Sequence, residues 1–235
     1  MDAELIIGSE FVAKTLACSM LAVSLTSGCI SRFPPRNENA VKVLADAYWL
    51  PKNPEERRTI QTCFPTDIRK LGSKALSSRL PGRDVYRAWV YDWKRLKGHR
   101  LWSNRYSIVF DGSLPAYIDS DASATTVLSQ AKKPIVDAHD VLRAVKAFCD
   151  LRGYHLLFAE HYGSLLKHKA VNYQAEDPVW HMLVRKEPPK WIVECSVSED
   201  PPGFSTFTRY QFSMTTNGVV TVDSTSPLLK VAVYR

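Results

Sequence analysis

The 235-residue chain carries no catalytic signature. It has no G-x-S-x-G elbow, no H-E-x-x-H helix and no glycine-rich phosphate loop. These are the spacings by which serine hydrolases, zinc peptidases and P-loop enzymes are read from sequence. Cysteine is scarce, five in all, and none stands in a C-x-x-C pair, which removes the common zinc and dithiol redox readings. With Cys18 and Cys29 set aside in the N-terminal region, Cys63, Cys149 and Cys195 allow at most one disulfide, so this is no disulfide scaffold. Internal repeats, low-complexity tracts and internal linkers are also missing. One long apolar run exists, and no second one follows it.

That run lies in "AKTLACSMLAVSLTSGCISRF", residues 13–33. Thr15 to Gly28 is free of charge. Its fourteen residues would span about 21 Å as a helix, short of a hydrocarbon core about 30 Å thick. The length instead suits the apolar core of a signal peptide, with Lys14 before it and the small residues Thr26, Ser27 and Gly28 at its end. Asp2, Glu4 and Glu10 precede that lysine, against the positive n-region such a signal needs. A start at Val12 would remove all three. The alternative is a buried N-terminal helix with Leu16, Met20 and Val23 on one stripe.

"LTSGC" resembles the lipobox of bacterial lipoproteins. Gly28 and Ser27 fit it, while Thr26 stands where leucine is usual and Leu25 lies one place further back. The resemblance covers the first 29 residues only and names no family for the rest. It implies cleavage before Cys29, lipid (palmitate) attachment at Cys29, and a cell-envelope address. Ile30, rather than aspartate, after the cysteine implies the outer membrane, facing the periplasm. Residues 1–28 are then the signal peptide. Residues 29–39, "CISRFPPRNEN", form a polar, proline-bearing tether, and 40–235 form a single domain long enough for a real core.

Within that domain "DAHDVLRAVKAFCDLRGY" predicts a helix capped by Asp137 and ended by Gly153, with Cys149 on its apolar stripe. "NPEERRTIQ" predicts another, with Asn53 as cap and Pro54 in the first turn. The stretch from Asn53 to Ser78 reads as helical overall, and "SDASATTVLSQAKK" as a short helix. From His155 the period changes to two. "HLLFAE", "VWHMLVRK", "WIVECSVS", "FTRYQFSM", "VVTVDS" and "LLKVAVYR" read as strands, with Cys195 on an inward face. "VYRAWVYDWKR" and "RYSIVFDG" suggest a further pair. In "TTNG" a two-residue turn would set every apolar residue against a polar one. A three-residue loop, Thr216 to Gly218, pairs Met214 with Val220 and Phe212 with Val222, and predicts positive φ at Gly218. The fold class is therefore α+β: an antiparallel sheet, with a C-terminal meander of about five to six strands, and helices packed on one face.

The charge is local. Between residues 69 and 105 stand eleven Lys and Arg against Asp84 and Asp92, an excess larger than the +7 of the whole chain. Tyr86, Trp89, Tyr91, Trp93 and Trp102 interleave with them. Such a segment suits an anionic lipid surface, an acidic wall polymer or nucleic acid; equally, it is a solvated face whose aromatics point inward. An envelope address disfavours nucleic acid. Arg95, Lys97, Arg100 and Arg105 surround the predicted turn "KGH" and are the candidate anionic-partner patch.

No metal or cofactor is expected. His155 and His161, if on one strand, would stand about 20 Å apart at about 3.3 Å per residue, too far to share an ion whose ligands lie about 2 Å away. His168 and His181 could join either only through contacts the sequence does not mark. His139 reads as a surface residue in the first turn of its helix. A trio of Glu160, His161 and Ser164 carries no catalytic spacing. The expectation is a non-enzymatic lipoprotein that binds or assembles a partner protein in a secretion, pilus or wall-associated machine; the alternative is an immunity-type lipoprotein that neutralises a toxin in the envelope.

Overall fold

The computed structural model describes residues 5–6, 36–63, 65–91, 103–111, 114–157, 182–199 and 204–232. The apolar run, Cys29, and residues 30–35 of the expected tether lie outside them. Fifteen elements are described. In chain order they are β1 (Leu5–Ile6), α1 (Arg36–Trp49), α2 (Pro54–Cys63), β2 (Asp67–Lys70), α3 (Lys74–Arg79), β3 (Asp84–Tyr91), β4 (Ser103–Phe110) and β5 (Pro115–Ile118), followed by α4 (Asp121–Gln130), α5 (Ala138–Arg152), β6 (His155–Leu157), β7 (Leu183–Glu187), β8 (Lys190–Glu199), β9 (Phe204–Thr215) and β10 (Val220–Ala232). The class is α+β, with every strand pairing antiparallel.

Two sheets form rather than one. The first runs β2-β3-β4-β5. The second runs β1-β7-β8-β9-β10, and β6 follows β7 along the same edge of β8. Helices do not lie on one face of a single sheet, as expected, but between the two sheets and outside the first. The physical reason is alternation in β3. Its Tyr86, Ala88 and Val90 point one way and pack on Val41, Ala45 and Leu50 of the α1 region and Ile60 of α2. Val85 points the other way, joining Val109, Ile118, the apolar residues of α3, α4 and α5, and the inner face of the second sheet in one continuous core. A sheet apolar on both faces needs cover on both.

Helix α5 is the centre of that core. Seven of its fifteen residues are buried, Cys149 among them, because it meets a sheet on either side. Asp137 caps it by accepting from the Asp140 amide at 2.9 Å, and Gly153 ends it at φ 74°. Asn53 likewise accepts from the Glu55 amide at 2.9 Å to start α2. The stretch from Asn53 to Ser78 is not helical throughout, since β2 separates α2 from α3. That strand is only four residues long and polar, too short to show alternation. Helix α1 begins at Arg36, inside the stretch read as tether.

The β9–β10 hairpin has the register that burial demands: Met214 opposite Val220, Phe212 opposite Val222, and Gly218 at φ 92°. "VVTVDS" and "LLKVAVYR" are not two strands but one, β10, bent by register shifts at Val222/Ser224 and Pro227/Leu229. Among the described residues it is an edge strand, where a proline costs no ladder bond. Cys149 and Cys195 are both buried, in the same core, and both are free thiols.

Candidate functional site

The basic excess of residues 69–105 does not form one solvated face. Arg79 is buried and donates to the carbonyls of Pro134 at 3.0 Å and Lys133 at 2.8 Å, tying α3 to the loop before α5. Lys70 pairs with Asp84 at 2.6 Å and Arg69 with Asp67 at 3.1 Å. Of the candidate patch, Arg105 is described and exposed. Arg95, Lys97 and Arg100 lie outside the described residues, as do Trp93 and Trp102.

The strand register places Arg105 on a particular surface. It stands opposite Trp89, which in turn stands opposite Asp67; two pairs along, on the same face, Ser107 stands opposite Arg87, and Arg87 opposite Arg69. The Arg69 guanidinium lies over the Trp89 ring at 5.2 Å, a cation–π contact that holds the indole on this face. Between these side chains and the end of α5 is a cleft of about 290 Å³. Arg87, Trp89 and Arg105 line its sheet side; Ser73, Asp150, Gly153, Tyr154 and His155 line the other.

Arg87 is the unusual member. It is only 5 % exposed. Its Nη2 donates to the Asp150 carbonyl, while its buried Nη1 has no hydrogen-bond partner among the described residues. Gly153 makes room for it, since a Cβ there would collide with Nη1. Burial brings the guanidinium down to about 10; Asp150 opposes that shift, and Arg105 and Arg152 add to it. The Asp150 carboxyl is pushed up by burial, against the pull of the Ser73 hydroxyl, Lys146, Arg87 and His155.

The Ser73 hydroxyl donates to the Asp150 carboxyl group and accepts from the amides of Ala75 and Leu76 as the N-cap of α3. Tyr154 is fixed by a polar knot on its far side: Arg152 donates to Asp121 at 2.7 Å and to the Tyr154 hydroxyl at 2.8 Å, and Tyr210 donates to Asp121 at 2.8 Å. His155 is exposed at the cleft. His139 is also exposed. Glu160, His161, Ser164, His168 and His181 lie outside the described residues. Among the described residues no group of three His, Cys, Asp or Glu is placed to hold a metal, and no helix is long and apolar enough to cross a membrane.

Sequence reasoning singled out Arg105 through charge, and alternation set Trp89 on one strand face without marking it as a site residue. It missed Ser73, Asp150 and Tyr154, which join the cleft only through the packing of α3 and α5 on the first sheet; Ser73 and Asp150 are 77 positions apart. No family model, curated protein or solved structure matches the chain.

Proposed function

We propose that the protein is an envelope lipoprotein, anchored through Cys29 in the outer membrane and facing the periplasm, that binds an anionic partner as a non-enzymatic component of an envelope assembly. The observation that carries the binding half is the surface at Trp89: an exposed Arg105 beside an arginine-stacked indole, above a buried Arg87. Exposed guanidinium beside an aromatic plane suits acidic lipid headgroups and acidic polymers. The anchoring half rests on the "LTSGC" signal.

The test is sedimentation with phosphatidylglycerol vesicles, against phosphatidylcholine vesicles as control. Replacing Arg95, Lys97, Arg100 and Arg105 by Gln together is expected to weaken binding and flatten its salt dependence, because exposed-charge attraction is screened as the Debye length falls from about 10 Å at 0.1 M to about 3 Å at 1 M. The melting temperature should move little, since an exposed charge contributes about 1 kcal/mol or less to folding. A variant that unfolds while its folded fraction still binds normally would make the segment structural and overturn the reading.

A further inference from the structure

We infer that the cleft at Trp89 is a phosphate-group site, in which Arg105 and the Nη1 of Arg87 hold the phosphate and Trp89 packs against the body that carries it. This rests on the anionic-partner reading and narrows it from a charged face to a single subsite.

The argument starts from Arg87. A buried N–H without an acceptor is uncommon in a folded protein and calls for a partner. Here it belongs to a guanidinium, the side chain best built to fork onto phosphate or carboxylate oxygens. The glycine that ends α5 lets Nη1 pack where a Cβ would collide with it, in the wall of the same cleft. Arg105 lies two residue pairs further along, on the neighbouring strand, and lines the same cleft. The donors belong to two guanidiniums on neighbouring strands. A flat carboxylate is satisfied by one fork, whereas a tetrahedral phosphate offers oxygens in several directions.

Charge points the same way. Arg87 and Arg105 line the cleft against the one carboxyl group of Asp150, an excess of positive charge that favours an anionic ligand. Size limits the ligand: about 290 Å³ lies at the bottom of the range for small-molecule sites, roughly 300 to 1,000 Å³. The cleft takes a phosphate and the ring or short chain next to it, with the remainder outside along Trp89. Such a group occurs in a lipid headgroup and in a soluble phosphosugar alike.

The experiment uses the full chain. Inorganic phosphate and sodium acetate, at matched ionic strength, are titrated while the Trp89 indole N–H resonance, assigned with Trp89→Phe, and the melting temperature are followed. Phosphate is expected to shift the resonance saturably and raise the melting temperature, and acetate to do neither. Arg105→Gln, an exposed change, should weaken phosphate binding by about tenfold, as loss of a charge-assisted hydrogen bond implies, with the melting temperature in plain buffer unchanged. Arg87→Lys, where it folds, should abolish saturation. Equal responses to phosphate and acetate, or wild-type affinity in Arg105→Gln, would overturn the site. Competition separates the sources. Displacement by glucose 1-phosphate upholds the site for a soluble phosphosugar; displacement by phosphatidylglycerol vesicles alone upholds it for a headgroup. If phosphate fails while vesicle binding still depends on the four basic residues, the subsite falls and the broader binding function stands.

Discussion

At the scale of single residues, two thiols show how burial becomes chemistry. Cys149 lies on the apolar stripe of α5 and Cys195 on the inward face of β8, and both are almost wholly buried. Periodicity of 3.6 and of 2 placed each correctly, because a small apolar-behaving residue follows its element's pattern. Burial pushes the Cys149 thiol well up and Cys195 up to about 12. Thiolate is the reactive form, so iodoacetamide on the native protein should modify exposed Cys63 and leave Cys149 and Cys195 untouched, as peptide mass mapping would show. Rapid labelling of either would mean its face is wrongly assigned. The sign of the pH dependence follows. An unfolded thiol titrates near roughly 8.5, and the folded values lie above it. Stability from this source is present below that pH and is lost as pH rises towards the folded values, by up to about 1.4 kcal/mol per pH unit for each thiol. Denaturant melts between pH 8 and 10 should therefore slope less steeply in a Cys149→Ala, Cys195→Ala double variant. Arg87 was half legible: its parity with Trp89 set its face, but a charged residue in a strand ordinarily marks the solvent side. The carbonyl that stabilises it comes from Asp150, 63 positions away, and local pattern carries no trace of that.

At the scale of elements, the caps and the hairpin were the most legible parts, because each is decided within a few residues. Asp137, Asn53 and Gly153 act at the positions their types predict. Asp137→Ala should lower stability by about 1 kcal/mol, measured by urea melts. Gly218→Ala should cost more, about 2 kcal/mol or above, for two reasons: φ of 92° disfavours any side chain, and the new Cβ would meet the Lys133 carbonyl. A Gly218→Ala protein as stable as wild type would contradict the three-residue loop. The errors were those of short or bent elements. β2 has four residues and no buried alternation. Pro227 and the bulges broke the period of β10 without breaking the strand.

At the scale of the whole molecule, the α+β class could be read from the switch of period near His155, but the second sheet and the central position of α5 could not. Layering depends on which apolar faces meet, and β3 shows both its faces apolar only once α1 and α5 are in place. The same packing builds the cleft, which is why the sequence singled out Arg105 of its lining but not the cleft itself. One feature of the N-terminus bears on the proposed anchor. Leu5 and Ile6 pair with Val184 and Leu183 at the edge of the second sheet. Cleavage before Cys29 would remove that two-residue strand and leave β7 as the edge, so processing should raise hydrogen exchange at the β7 amides and leave the β8 amides unchanged.

The proposed envelope address would decide which anions this protein meets, and in that proposal Cys29 carries the address. The most direct test is growth with a clickable palmitate analogue in a bacterial host, comparing wild type with Cys29→Ser. The account predicts label on the wild-type protein, shortened at its N-terminus to begin at Cys29, and neither label nor cleavage in Cys29→Ser. Label that persists in Cys29→Ser, or a wild-type protein that stays unlabelled with its first residues intact, would contradict it.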